Sequence, residues 1–180
     1  KKCNVPVSGA PVELDYQQML DAGLGYLRKQ GGKNIVLVRP QSGSYPFEEL
    51  KIDTFPDLNL FLIDLTREDG HSQIYRQILT FLQKHPEFDS VFVFEDSLYL
   101  PALYAIQESG RKIPEDCMLI THANKDVELF APLPLTRLEI DPAKIAKQTW
   151  QALKAQIAGQ KFVTHRHKAA VKAGKTCREK

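Results

Sequence analysis

The chain is short of the residues that staple small proteins or load them with metal. Its three cysteines, Cys3, Cys117 and Cys177, are an odd number at wide spacing. There is no CxxC and no Cys/His pairing at zinc-binding intervals. A disulfide framework is therefore excluded, and a reducing compartment fits. No apolar run approaches the roughly 18 residues that span a bilayer. The opening KKCNVPVSG is positive but lacks the apolar segment of a secretory signal. A cytoplasmic location is the expectation, with a mature secreted protein as the alternative.

Charge of one sign is missing too. Twenty-four Lys/Arg stand against 22 Asp/Glu, a net of +2, which gives no general attraction for a polyanion. From Lys161 to Lys180 there are seven basic residues and one acid, while the rest carries 17 basic and 21 acidic residues. Apart from Phe162 no Phe, Tyr or Trp interleaves that basic end as a nucleic-acid surface would require, so it reads as a solvated terminus.

The signatures of catalysis are absent as well. The sequence contains no G-x-x-x-x-G-K-[ST], no G-x-G-x-x-G after a strand, no G-x-S-x-G and no HExxH. His165 and His167 alternate in an expected strand without further ligands. The chain is accordingly read as a non-enzyme, with no cofactor, no metal and no catalytic residue.

What is present is an ordinary globular composition, 43% hydrophobic and 26% charged over 180 residues, enough for a core without staples. Val5–Gly9 reads as a short strand. Asp15 caps a helix whose stripe is Met19, Leu20, Leu24 and Leu27, ended by Gly31 and Gly32. NIVLVR and LFLIDL are continuous apolar runs, the mark of strands covered on both faces. Between them 41–59, punctuated by prolines, reads as a connection with one short helix near Phe47–Lys51 and as a boundary between lobes. Ser72 or Asp69 caps a helix carrying Ile74, Ile78 and Leu82. VFVF is a strand, followed by a helix with Leu103, Ala105 and Ile106 inward. Cys117–Thr121 is another strand. Asp141-Pro142 opens a helix with Ile145, Thr149, Leu153 and Ile157 on one stripe, and Phe162–Ala173 is the last strand. Strands alternating with helices imply a parallel sheet with crossover helices, an α/β fold.

Polar residues gather where these strands end. Arg67 follows LFLIDL, Glu95 and Asp96 follow VFVF, and His122 and Asn124 follow MLIT. In a parallel sheet such ends point one way, and open α/β sheets bind ligands there. A guanidinium fork, carboxylates and an amide suit a polyol, a sugar or a small anion. The bland reading is that strand ends are polar because loops begin there.

The wording of these segments adds a resemblance. FEDSLYLPALYAIQESGRKIPEDCMLIT resembles the effector-binding core of the lac-repressor/gal-repressor (LacI/GalR) family, with an Asn-Asp pair after a strand, a helix ending in glycine and [VI]-P-x-D before the next strand. PLPLTRLEIDPAKIAKQTWQAL resembles the family's P-x-L-T-x-[VI] strand and the helix returning to the first lobe. SGAPVELDYQQMLDAGLGYLRKQGGKNIVLVRP resembles its strand and aspartate-led helix, and TREDGHS the turn that presents a sugar-contacting arginine.

The resemblance implies a type I periplasmic-binding-protein-like fold, two α/β lobes with a small molecule between them. It places crossings near Pro40–Tyr45, Leu138–Asp141 and Gly159–Val163. It divides the chain into a partial first lobe, 1–40 with 141–160, and a second lobe, 41–140 with 161–180. Arg67 matches the sugar-contacting arginine and Asp96 the aspartate of the pair. Glu95 stands where the family has asparagine, and Ala123, with Asn124 beside it, where the family has an effector-binding aspartate. Tyr99 and Pro101 replace small residues. The implied protein is a sugar-sensing domain of a bacterial transcription regulator. It is expected to be homodimeric and to reach DNA only through a helix-turn-helix domain outside these residues. The alternatives are a solute-binding protein of a transport or receptor system and a ligand-free dimerisation module.

Overall fold

Runs such as NIVLVRP and SVFV have no polar face to offer water, so they must sit inside a sheet covered on both sides. The computed structural model, which describes residues 12–40, 49–65, 70–160 and 165–179, places them there. The elements are β1 (Glu13–Leu14), α1 (Tyr16–Lys29), β2 (Asn34–Pro40), β3 (Asn59–Leu65), α2 (His71–Lys84), β4 (Ser90–Val93), α3 (Tyr99–Glu108), β5 (Met118–Asn124), β6 (Thr136–Ile140), α4 (Pro142–Ile157), β7 (Arg166–His167) and β8 (Ala170–Lys172). Six strands form one sheet in the order β3-β2-β4-β5-β6-β8, parallel except for the antiparallel β8. A second, two-stranded sheet pairs β1 with β7.

Alternation along the strands divides the core between the two faces. Val36, Val38, Val91, Val93 and Leu119 point to the side covered by α2 and α3, through Ile74, Ile78, Leu82, Leu103 and Ile106. Ile35, Leu37, Phe92, Phe94, Met118, Ile120 and Leu138 point to the side covered by α1, through Met19, Leu20, Leu24 and Leu27. The α1 helix lies close because residue 23 is glycine, since a Cβ there would collide with the Phe92 ring. The end of the chain secures β5. Leu119 donates to the Thr176 carbonyl at 2.8 Å, and the Thr176 hydroxyl donates back to the Leu119 carbonyl at 2.7 Å.

The helix caps follow the sequence in part. The Asp15 carboxylate accepts from Gln18 N at 3.0 Å, and Asp141 accepts from Lys144 N at 2.9 Å. For α2 the cap is instead Gly70, with no side-chain bond. Asp69, Val5–Gly9, Ser42–Tyr45, Phe47 and Arg67 lie outside the described residues.

Four expectations change. The strand β2 is not in a separate first lobe: it is central in the large sheet, bonded to β3 and β4. With α1 on that sheet, residues 16–40 share one sheet and one core with β4 and β5. The boundary expected within 41–59 changes for the same reason. Leu50, Ile52, Phe55 and Leu58 pack against α1, and Gln17 exchanges two hydrogen bonds with the backbone of Lys51 at 3.0 and 2.8 Å. Pro40 opposes Leu65 in adjacent strands, so no crossing between lobes occurs at Pro40. The single strand expected over 162–173 is two short strands in two sheets.

The α4 stripe is a core face only at its start, where Ile145 packs on the α1-side core. Only Ala152 is buried, while Trp150, Leu153 and Ile157 are 56%, 45% and 77% exposed. A hydrophobic period reports which side of a helix is apolar; tertiary neighbours decide whether that side is covered.

Candidate functional site

Parallel order brings the carboxyl ends of β2, β3, β4 and β5 to one edge of the sheet. After β4 the chain continues extended through Phe94, whose N–H donates to the Val38 carbonyl at 2.9 Å. Glu95 is still extended, and a single 3-10 turn, Asp96–Leu98, then leads into α3. This is why Glu95 and Asp96 stand on the rim, before α3 begins. Neither the turn nor α3 has a side-chain cap, so Asp96 is not a capping residue.

Glu95, Asp96 and His122 come together. The Ser97 hydroxyl donates to Glu95 Oε1 at 2.9 Å, but the buried Oε2 has no partner among the described residues. His122 is 8% exposed and lies on the same face as Ile120, since side chains alternate along β5. Its Nδ1 is buried without a partner among the described residues. Burial pushes the imidazole below its ordinary range, against the pull of Asp96 and Glu95. Thr121, fully buried beside it, leaves its hydroxyl oxygen unsatisfied as well. Such orphaned groups are uncommon in folded proteins and each costs about 1–3 kcal/mol. They stand at the ends of two adjacent strands, with Thr121 on the α2/α3 side of β5 and His122 on the α1 side, so the edge offers polar atoms on both faces.

Asn124 ends β5 with an exposed side chain, and its carbonyl accepts from Val127 N at 3.2 Å in the turn that follows. Ala123 is buried and offers no side-chain donor or acceptor. Tyr99 is turned to structure: its hydroxyl donates to the Phe130 carbonyl at 2.6 Å, holding the segment after β5 against the start of α3.

Sequence reasoning missed one pair on this rim. Arg39 and Asp64 are direct neighbours across β2 and β3 and form an ion pair. The signal was there, a charge near the end of each apolar run. Cys117 and Cys177 are buried, and burial raises both thiols, that of Cys177 to about 11; this fits the core reading. His167 is buried too, its Nε2 accepting from Asp141 N at 3.3 Å, and burial lowers its pKa. Among the described residues no group of three or more His, Cys, Asp or Glu is arranged to hold a metal.

A separate groove of about 860 Å3 runs between α2 and α3, lined by Tyr75, Tyr99, Pro101, Tyr104 and Glu108, with Asp96 and Ser97 at one end. Glu95, His122 and Asn124 do not line it. No helix among the described residues is long and apolar enough to cross a membrane.

Comparison with known proteins agrees with this build. The family model for a periplasmic binding protein-like domain matches residues 24–177. The transcriptional regulator GalR of Streptococcus thermophilus is 22% identical over 160 residues, which are 81% of this chain and 47% of that protein. The transcriptional regulator CelR of Thermobifida fusca is 28% identical over 79 residues, 44% of this chain and 23% of that protein. The chain thus spans about half the length of the first relative and less of the second. Among solved structures, a LacI family transcriptional regulator from Arthrobacter sp. FB24, in complex with lactose, superposes with a TM-score of 0.76 at 19% identity, over 94% of this chain and 67% of that one. The chain belongs to the periplasmic-binding-protein-like domain family and has the build of a LacI/GalR effector-binding domain.

Proposed function

We propose that this chain is the greater part of a sugar-sensing domain in a bacterial transcription regulator of the LacI/GalR kind. The observation that carries the reading is the set of unsatisfied polar atoms on Glu95, Thr121 and His122 at the carboxyl edge of β4 and β5. A ligand with hydroxyls satisfies such atoms without a covalent step. Glu95, Asp96, His122 and Asn124 are the contacts on this side, and Arg67 is the residue that donates to ligand oxygens. The names of the relatives support a regulator rather than an enzyme, and the lactose complex of the Arthrobacter protein supports a carbohydrate class. The domain needs no cofactor.

In this reading α4 belongs to a second lobe. Its uncovered stripe of Trp150, Leu153 and Ile157 is the face on which that lobe packs. The paired strands β1 and β7 then stand at the crossing, because β1 leads directly into α1 and β7 directly follows the segment after α4. Effector binding between the lobes shifts their relative position. That shift biases DNA binding by a separate domain outside these residues, in a cytoplasmic homodimer. A solute-binding protein of a transport system has the same fold, but the curated relatives are regulators.

The test is calorimetry or thermal shift against a panel of sugars, since a ligand of the native state raises the unfolding midpoint. Arg67→Ala and Asp96→Asn are expected to lower affinity for any sugar that binds by about tenfold or more, the loss of a charge-assisted hydrogen bond. Unchanged affinity in both variants would remove the strand-edge assignment.

A further inference from the structure

His167 ties the starts of two helices to one strand. Its backbone lies in β7 opposite Leu14 of β1, and its carbonyl accepts from Asp15 N at 2.9 Å, where α1 begins. Its side chain reaches α4. The buried ring accepts the Asp141 N–H on Nε2 at 3.3 Å, at the cap of that helix. A backbone N–H only donates, so this bond needs a bare Nε2 and a neutral ring with its proton on Nδ1. Nδ1 is buried without a partner among the described residues. A protonated ring therefore buries two donors, one of them facing another donor, with no acceptor for either among the described residues. Such a charge is costly to bury.

The charges around the ring do not relieve it. On α4, Asp141 attracts the positive form and Lys144 opposes it. The two Asp141 oxygens are already taken, one by Lys144 N at 2.9 Å and the other by Lys125 Nζ at 3.4 Å. On the β1 side, Asp15 accepts from Gln18 N at 3.0 Å and Glu13 lies 3.9 Å from Arg166. The sequence neighbours Arg166 and Lys168 are cations and accept nothing. Burial, then Lys144, push the ring's pKa below its ordinary range against the pull of Asp141.

The strands do not depend on the ring. Backbone bonds pair β1 with β7, and the Gln18 side chain clasps Ala169 by its N–H and its carbonyl at 3.0 and 3.1 Å. Helix α4 buries little beyond Ala152 and part of Ile145, so the bond to the ring is a large share of its attachment.

We propose that His167 is a proton-operated latch: neutral, its ring fastens the start of α4 to the β1–β7 pair, and protonated, it releases α4 while the strands stay paired. The latch stands on the fold alone. Its consequence, a coupling between lobes that loosens in acid, rests on the two-lobe reading above.

The test is an NMR titration of the unliganded chain from about pH 8 to about pH 5, the range in which histidine changes charge. The His167 ring nitrogens report the tautomer and the titration, and hydrogen-exchange protection of the Asp141 amide reports the bond. Neutral His167 is expected as the Nδ1–H tautomer. As the ring titrates, Asp141 protection should fall about tenfold, the loss of one hydrogen bond. The Lys144 and Ile145 amides should follow, and that of Asp15 should not. His167→Gln keeps an acceptor near the Nε2 position and cannot titrate, so the pH dependence should vanish. The other readouts use the unaltered chain and stand even if that variant does not fold. A neutral Nε2–H tautomer, a ring that stays neutral until the chain unfolds in acid, or Asp141 protection indifferent to the titration overturns the latch. So does the same pH response in His167→Gln. All of these outcomes leave sugar binding at the strand edge as a separate question.

Discussion

Helices α1 and α4 begin alike and end in different surroundings. Each opens on an aspartate whose carboxylate accepts from the third backbone N–H beyond it, and each carries an apolar stripe. On α1 the stripe disappears into the sheet, with Leu20, Leu24 and Leu27 wholly buried against Phe92, Phe94 and Ile120. On α4 only Ala152 is buried, and the sole tryptophan stands in solvent. Local sequence therefore makes both helices, but the described residues bury the whole stripe of one and only a narrow face of the other, through Ile145 and Ala152. The other has the surface of an element made to pack on something further.

That contrast can be broken or sharpened by substitution. Leu24→Ala removes buried methyls from a face that cannot collapse easily, and should cost about 2–5 kcal/mol in urea unfolding. Gly23→Ala puts a methyl into the Phe92 ring and should cost about 1–3 kcal/mol by overpacking; full stability would show that α1 does not press on the sheet as described. Asp15→Ala removes the cap of α1 and should cost about 1 kcal/mol.

Acid should act next in size. Burial lowers the pKa of both His122 and His167 in the folded chain, so the unfolded state binds protons more readily. Stability is then complete above about pH 6.5, the unfolded value, and is lost as the pH falls below it toward the depressed folded values. Melting temperatures across this range should fall with pH, and His122→Phe should flatten the slope. Leu153→Ala should come last, within about 0.5 kcal/mol of no effect, because the side chain is 45% exposed and belongs to neither core cluster. A large loss there would mean that α4 is packed after all.

Much of this fold was legible in the residues. The apolar runs became strands, the aspartates became caps, and Cys117 went into the core as a small buried residue. What was not legible was membership. NIVLVR is equally suited to any doubly covered strand, so its place beside LFLIDL in one sheet depended on pairing, which no local pattern encodes. The same limit made 41–59 look like a boundary, although its Ile52, Phe55 and Leu58 belong to the core on the α1 side. At the candidate site, Glu95 and Asp96 were visible as polar residues after a strand, and their meeting with His122 follows from the β4–β5 register. The orphaned atoms were not visible, since a missing partner is a property of the packed state. Arg67 lies outside the described residues, and its role rests on the resemblance alone.

The most direct test of the central claim is amide chemical-shift mapping of the chain titrated with the panel of sugars. The account predicts changes concentrated at Glu95–Ser97 and His122–Asn124, on the carboxyl edge of β4 and β5. Changes confined to the α2/α3 groove around Tyr75 and Tyr104, with the strand edge silent, would contradict it.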